Sequence, residues 1–259
     1  MKNLRILITN QSGCFHPGIV ALAKVLSGSH RVVISAPLRA QYSRGHELTT
    51  RRPLRTAQYS VLNKVKFFSV DGTPCDSVAL AMDKLVKAKP DLIIAGIDPN
   101  INVSENIWSS GVVSAAVLGT MHGVKSIAIS ASVDDEKDEK AYLPFARTFL
   151  KNLGTLFASI PDDTTLNINF PKKNKSKIIK FTHLSCDEVV ENQYTHEVNP
   201  FGQEFYWMKK PGDQNNLSKL EKKGDVACLK QNFITITPLK YDLTSEEGLR
   251  ILERSSISL

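Results

Sequence analysis

The chain has 259 residues, 42% of them hydrophobic and 23% charged, enough for one large domain or two small ones with a substantial core. That composition excludes a disordered chain, a collagen-like repeat and a disulfide scaffold. Its 33 Lys+Arg against 26 Asp+Glu give +7, a balance that suits anionic ligands but is too mild to imply nucleic acid.

Residues 4–8 (LRILI) form a compact apolar run, stopped by Thr9-Asn10-Gln11-Ser12-Gly13; this reads as a buried strand ending in a loop. Pro17-Gly18 opens a helix, because a proline in the first turn gives up no hydrogen bond. Ile19, Leu22, Val25 and Leu26 supply that helix with an apolar stripe. Residues 31–35 are a second strand, stopped by Ala36-Pro37. Residues 65–70 are a third, ending at Asp71-Gly72-Thr73-Pro74. Asp76 is the expected N-cap of the next helix, whose Val78, Met82, Leu85 and Val86 share a face. Residues 92–95 (LIIA) start a strand, a helix of small residues spans 110–122, and residues 126–130 (SIAIS) make the next strand. Residues 134–140 (DDEKDEK) read as a solvated loop or helix start, and 142–156 resume a helical pattern. Apolar strands alternating with helices predict an α/β fold whose parallel sheet is covered on both faces.

Beyond residue 172 the pattern changes. Lys172, Lys173, Lys175, Lys177 and Lys180 form a basic stretch, and strand-like runs follow at 178–181, 205–208 and 233–237. The expected organisation is a single domain, 1–259, with an α/β core to residue 170 and a β-rich C-terminal arm over 171–259. The four cysteines, Cys14, Cys75, Cys186 and Cys228, form no CxxC pair, which argues against a zinc site or redox dithiol and for a reducing compartment. The N-terminal apolar run is too short for a signal peptide, and no stretch approaches the ~18 apolar residues of a membrane span. A cytoplasmic protein without a membrane partner is expected.

In an open parallel sheet, ligands bind beyond the carboxyl ends of the strands. Three loops qualify: 10–17, 37–50 and 98–110, all rich in Asn, Ser and Gly. No GxxxxGK[ST] or GxGxxG follows the first strand, so known phosphate cradles do not apply. Ser110-Gly111, at a helix start, offers free N–H groups and a dipole to a phosphate, or else a plain N-cap. The six histidines show neither HxH nor HExxH spacing, although His16 and His46 fall on site loops, and no GxSxG elbow is present. Phe201, Phe205, Tyr206 and Trp207 form an aromatic cluster suited to a subunit contact more than to base stacking.

The order of these motifs resembles the SurE (survival protein E) family of metal-dependent nucleotidases. The resemblance rests on Asn10-Gln11-Ser12-Gly13 with Pro17-Gly18, on Gly72-Thr73-Pro74-Cys75-Asp76, and on Ala95-Gly96-Ile97-Asp98 through Asn102. It continues with Ser110-Gly111-Val112-Val113, Leu166 to Pro171, Asn199-Pro200-Phe201-Gly202 through Trp207, and Ile234 to Leu239 with Asp242-Leu243-Thr244. It implies a Rossmann-type three-layer core and a C-terminal arm that joins a homodimer or tetramer. It also implies a phosphorylated small molecule or nucleotide as substrate and one Mg²⁺ or Mn²⁺ ion.

The family holds that ion with two adjacent first-loop acids, a second-loop Ser and the Asn of G-I-N. By resemblance these positions fall on Gln11 and Ser12, on Tyr42 (Ser43 if the loop slides by one residue), and on Asp98. Asn10 and Asp98 take the catalytic positions, while Gly13, Asn102, Ser110 and Gly111 face the substrate. Two acids are lost and one is gained, and hard divalent ions want carboxylate oxygens. Two readings follow: a phosphomonoesterase with a rearranged and weakened metal site, or a non-catalytic oligomeric relative that binds an anion or nucleotide.

Overall fold

The computed structural model describes residues 3–172, 178–185, 194–208 and 224–255. The first strand, β1 (Arg5–Thr9), is followed by α1 (Pro17–Leu26), β2 (Arg31–Pro37), β3 (Thr56–Tyr59), β4 (Lys66–Val70) and α2 (Pro74–Leu80). Next come β5 (Leu92–Asp98), α3 (Gly111–Met121), β6 (Lys125–Ala131), α4 (Glu139–Ser159) and β7 (Thr164–Phe170). The remainder is β8 (Ile179–Phe181), β9 (Tyr194–Val198), β10 (Glu204–Met208), α5 (Asp225–Lys230), β11 (Ile234–Lys240) and α6 (Glu246–Glu253).

Nine strands form one sheet in the order β3-β4-β2-β1-β5-β6-β7-β11-β8. Six central strands, β4 to β7 in that order, are parallel; β3 and β11 run antiparallel to their inner neighbours. Period-2 alternation sends Ile6, Ile8, Ile34, Ile94 and Ile127 to the face covered by α1 and α4. Leu7, Ile93, Ala95 and Ala128 point to the other face, under α2 and α3. Both faces are dry, which is why these strands read as unbroken apolar runs. The small side chains of α3 let it lie close to the sheet, and nine of its residues are buried. The α/β class read from the sequence is the observed one.

Several details differ from the sequence reading. Thr73, not Asp76, caps α2. Asp76 occupies the third helical position and completes a capping box: its backbone N–H donates to Thr73 Oγ1 (3.0 Å), and its carboxylate accepts the Thr73 N–H (2.9 Å). Strand β2 runs on through Ala36-Pro37, since its last residues pair with β4. The polar edge strand β3 (TAQY) has no apolar run to announce it. Strand β11, from beyond residue 170, zips onto β7 from Thr235↔Asn169 to Lys240↔Thr164, so the sheet extends past the expected core boundary. The expected strand segments near 178–181, 205–208 and 233–237 coincide with β8, β10 and β11. Strands β9 and β10 form a separate antiparallel hairpin. Lys173, Lys175, Lys177 and Cys186 lie outside the described residues.

Candidate active site

The connection after β1 goes to β2 on one side, whereas β5 lies on the other, so the sheet's order reverses between β1 and β5. At such a reversal the loops leaving the two strands run in opposite directions, which in open α/β sheets makes the crevice where ligands bind. In the first loop Asn10 Nδ2 donates to the Gly13 carbonyl (2.9 Å), and Asn10 Oδ1 accepts the Gly13 N–H (3.2 Å). These two bonds make Asn10 a loop-shaping residue, at the position where a catalytic role is expected. Phe15 fastens the same loop to the sheet edge by stacking on Phe67 (5.5 Å) and meeting Tyr59 edge-on (5.1 Å).

Gln11 crosses the crevice. Its Nε2 donates to Asp98 Oδ2 at 2.6 Å, and its Oε1 accepts the N–H of Gly111, the first residue of α3, at 2.9 Å. Gly111 permits this approach, because a Cβ there would lie 2.9 Å from the Pro74 ring and 3.1 Å from Gln11 Oε1. Ser110 caps α3, accepting the Val113 N–H (3.1 Å). The helix start is thus already furnished with two acceptors, one of them from Gln11.

Asp98 ends β5 and is wholly buried. Its Oδ2 also accepts from Asn102 Nδ2 (3.1 Å), and its Oδ1 accepts the Asn100 N–H (3.2 Å) and Nδ2 (3.3 Å). Burial pushes the carboxyl up to about 6, and the donors on Asn102, Asn100 and Gln11 work in the opposite direction. It is a buried acid held by neutral amides. Asn102 is fixed in turn: its Nδ2 reaches Ser130 Oγ (2.7 Å), and its carbonyl accepts from Asn167 (2.8 Å) and Asn169 (2.9 Å). The Asn167-Ile168-Asn169 block on β7 clamps the third loop, a role that only the pairing of distant strands reveals.

Gly13, Gln11, Asp98, Asn102, Ser110 and Gly111 therefore come together at one end of the sheet. Ser12 joins them with a buried hydroxyl that has no hydrogen-bond partner among the described residues. Tyr42 and Ser43 sit exposed on the second loop, and neither side chain bonds to this cluster among the described residues. That loop is tied in at Gln41, whose N–H donates to the Gln11 carbonyl (2.7 Å). It also presses on the entry to α3, where a Cβ on Gly45 would run into the Trp108 carbonyl.

The divalent ion implied by the resemblance does not fit this donor set. One carboxylate is present, and both its oxygens are occupied by amide donors. No group of three or more His, Cys, Asp or Glu suited to a metal occurs among the described residues. An ion at Asp98 would have to displace Gln11 and compete with the amides of Asn100 and Asn102, with neutral oxygens in return.

A family model described as "Survival protein SurE" matches residues 6–191. A 5′-nucleotidase SurE of Thermoanaerobacter sp. (strain X514) is 32% identical, covering 99% of this chain and 100% of its own length. The 5′-nucleotidase SurE of Carboxydothermus hydrogenoformans is 37% identical, covering 96% of this chain and 95% of its own. Among solved structures, the SurE protein from Aquifex aeolicus superposes with a TM-score of 0.77 at 31% identity, over 96% of this chain and 99% of that one. With a family model matched over residues 6–191, relatives above 30% identity over nearly their whole length and a solved structure of the same fold, the chain belongs to the SurE family.

Proposed function

We propose that this chain binds a nucleotide or related phosphorylated small molecule in the crevice between β1 and β5, and hydrolyses it weakly or not at all. The observation that carries this reading is the Gln11–Asp98 contact. The N-terminal start of α3 favours an anion through its dipole even with two of its N–H groups taken by Gln11 and Ser110, and the Ser12 hydroxyl, without a partner among the described residues, is a further donor for one. In the nucleotidase chemistry of the family, a divalent ion activates water and neutralises the phosphate. Here Gln11 and Ser12 stand in the acid positions, and the single acid, Asp98, is spent on amides. The reading further makes the protein a cytoplasmic homodimer or tetramer joined by its C-terminal arm. Cys14, Cys75 and Cys228, all buried and none in a disulfide, and the exposed aromatics of the β9–β10 hairpin support it.

The test is phosphate release from a panel of nucleoside monophosphates with Mn²⁺ or Mg²⁺ supplied. The unmodified chain is expected to stay near the uncatalysed background. The triple variant Gln11→Asp/Ser12→Asp/Asp98→Asn is expected to gain Mn²⁺ binding. Loss of a partner that merely supports a metal ligand costs roughly 10–100-fold in affinity; restoring two direct acids should exceed that. Robust metal-dependent turnover by the unmodified chain would overturn the proposal and make it a working nucleotidase.

A further inference from the structure

Residues 39–55 carry five of the chain's ten arginines, no lysine and one acid, Glu47, although lysines number 23 overall. Three of these arginines, Arg44, Arg51 and Arg52, line a cavity of about 620 Å³, a size typical of small-molecule sites. Glu47 is the only acid on its wall. Arg44 pairs with Glu47 at 3.0 Å and Arg52 with Asp71 at 3.2 Å, but all four side chains are exposed, so both pairs are weakly held. Arg51 has no ion-pair or hydrogen-bond partner among the described residues.

The segment is ordered from below. Asp76 accepts the N–H and hydroxyl of Thr49 (2.8 and 2.6 Å), and Thr73 Oγ1 donates to the Glu47 carbonyl (2.7 Å). The cavity also borders the crevice. Gln41 on its wall bonds Gln11, and Thr73 on its wall precedes Pro74, which abuts Gly111.

We propose that this basin is a second anion subsite, which takes the further phosphoryl group of a ligand whose first phosphate lies in the crevice. The ligand class is then a small molecule with at least two phosphates, such as a nucleoside diphosphate. Arginine suits the task better than lysine, since its planar fork donates to two phosphate oxygens at once. Because α2 orders the backbone that carries the arginines, only their side chains lose freedom on binding.

The inference rests on the crevice reading above, and the experiment separates the two. Calorimetry on the full chain, without added metal, would compare inorganic phosphate with pyrophosphate and AMP with ADP. The diphosphates are expected to bind roughly tenfold tighter or more, as one added charge-assisted contact implies. Arg51→Gln should remove most of that margin, and Arg51→Lys should restore only part of it. AMP binding with no preference for ADP would sink the subsite and leave the crevice reading standing. A preference untouched by Arg51→Gln combined with Arg44→Gln would sink it equally. Binding of pyrophosphate without AMP would support the basin and overturn the crevice reading; no binding of any probe would overturn both.

Discussion

A carboxamide carries a donor and an acceptor on one planar group, so Gln11 can face the Asp98 carboxylate with one atom and the Gly111 N–H with the other. Aspartate at the same place would be an acceptor only and would meet Asp98 as a like charge. The amino-acid string displays the exchange of acids at positions 11, 12 and 98. It does not display that Gln11 and Asp98, 87 positions apart, touch each other. The arginine cluster, in contrast, is countable from sequence alone; its meaning comes from the cavity that three of its members share. His16 is a second residue whose role is local and testable. Its Nδ1 accepts the Gly18 N–H (3.1 Å) as the N-cap of α1, and burial lowers its pKa below the ordinary 6.5. A protonated Nδ1 cannot accept, and the unfolded chain takes up the proton first. The cap's contribution is therefore complete above pH 6.5 and disappears as pH falls through the lowered folded-state value. Urea unfolding across this range should show His16→Asn, which caps without titrating, with a flatter profile than the unmodified chain.

At the scale of elements, legibility follows burial. Strands β1, β2, β5 and β6 announce themselves because both their faces are apolar, and α1 because Pro17 marks its start. Strand β3 is exposed at the sheet edge, and β7 interleaves Asn167 and Asn169 with core residues, so neither has a clean apolar signature. The Thr73–Asp76 box shows why a cap is hard to place: both residues are good N-caps, and geometry decides which one serves. Thr73→Ala removes that cap and the bond to the Glu47 carbonyl together. It should cost about 1–2 kcal/mol of stability in chemical denaturation. Amide exchange at Thr49 should quicken in the same variant, because the arginine segment hangs from this helix start.

For the whole molecule, the β9–β10 hairpin stands out. Phe201, Tyr206, Trp207 and Met208 are all exposed, with Phe201 at 88% of its surface. Cross-strand pairs such as Trp207↔Thr195 hold the ribbon together, but an isolated two-stranded hairpin is marginal in water without a surface to cover it. A partner copy would supply that surface. Sedimentation of the full chain at micromolar concentration should show a dimer or tetramer, and Phe201→Ser/Trp207→Ser should shift it towards monomer. A stable monomer before substitution would count against assembly through the arm.

The crossing contact between neighbouring strands also constrains which sequences lie one step away. Placing Asp at position 11 while Asp98 persists would set two carboxylates face to face, in a place where burial already disfavours the charge of one. Starting instead at Asp98→Asn leaves two carboxamides, which can face each other once one of them flips. The route to a two-acid first loop therefore has an order, 98 before 11, and its first step removes the one carboxylate present before any other is added. Stepwise substitution is blocked from one side and unrewarded from the other, so the Gln11–Asp98 pair is simpler to keep than to exchange.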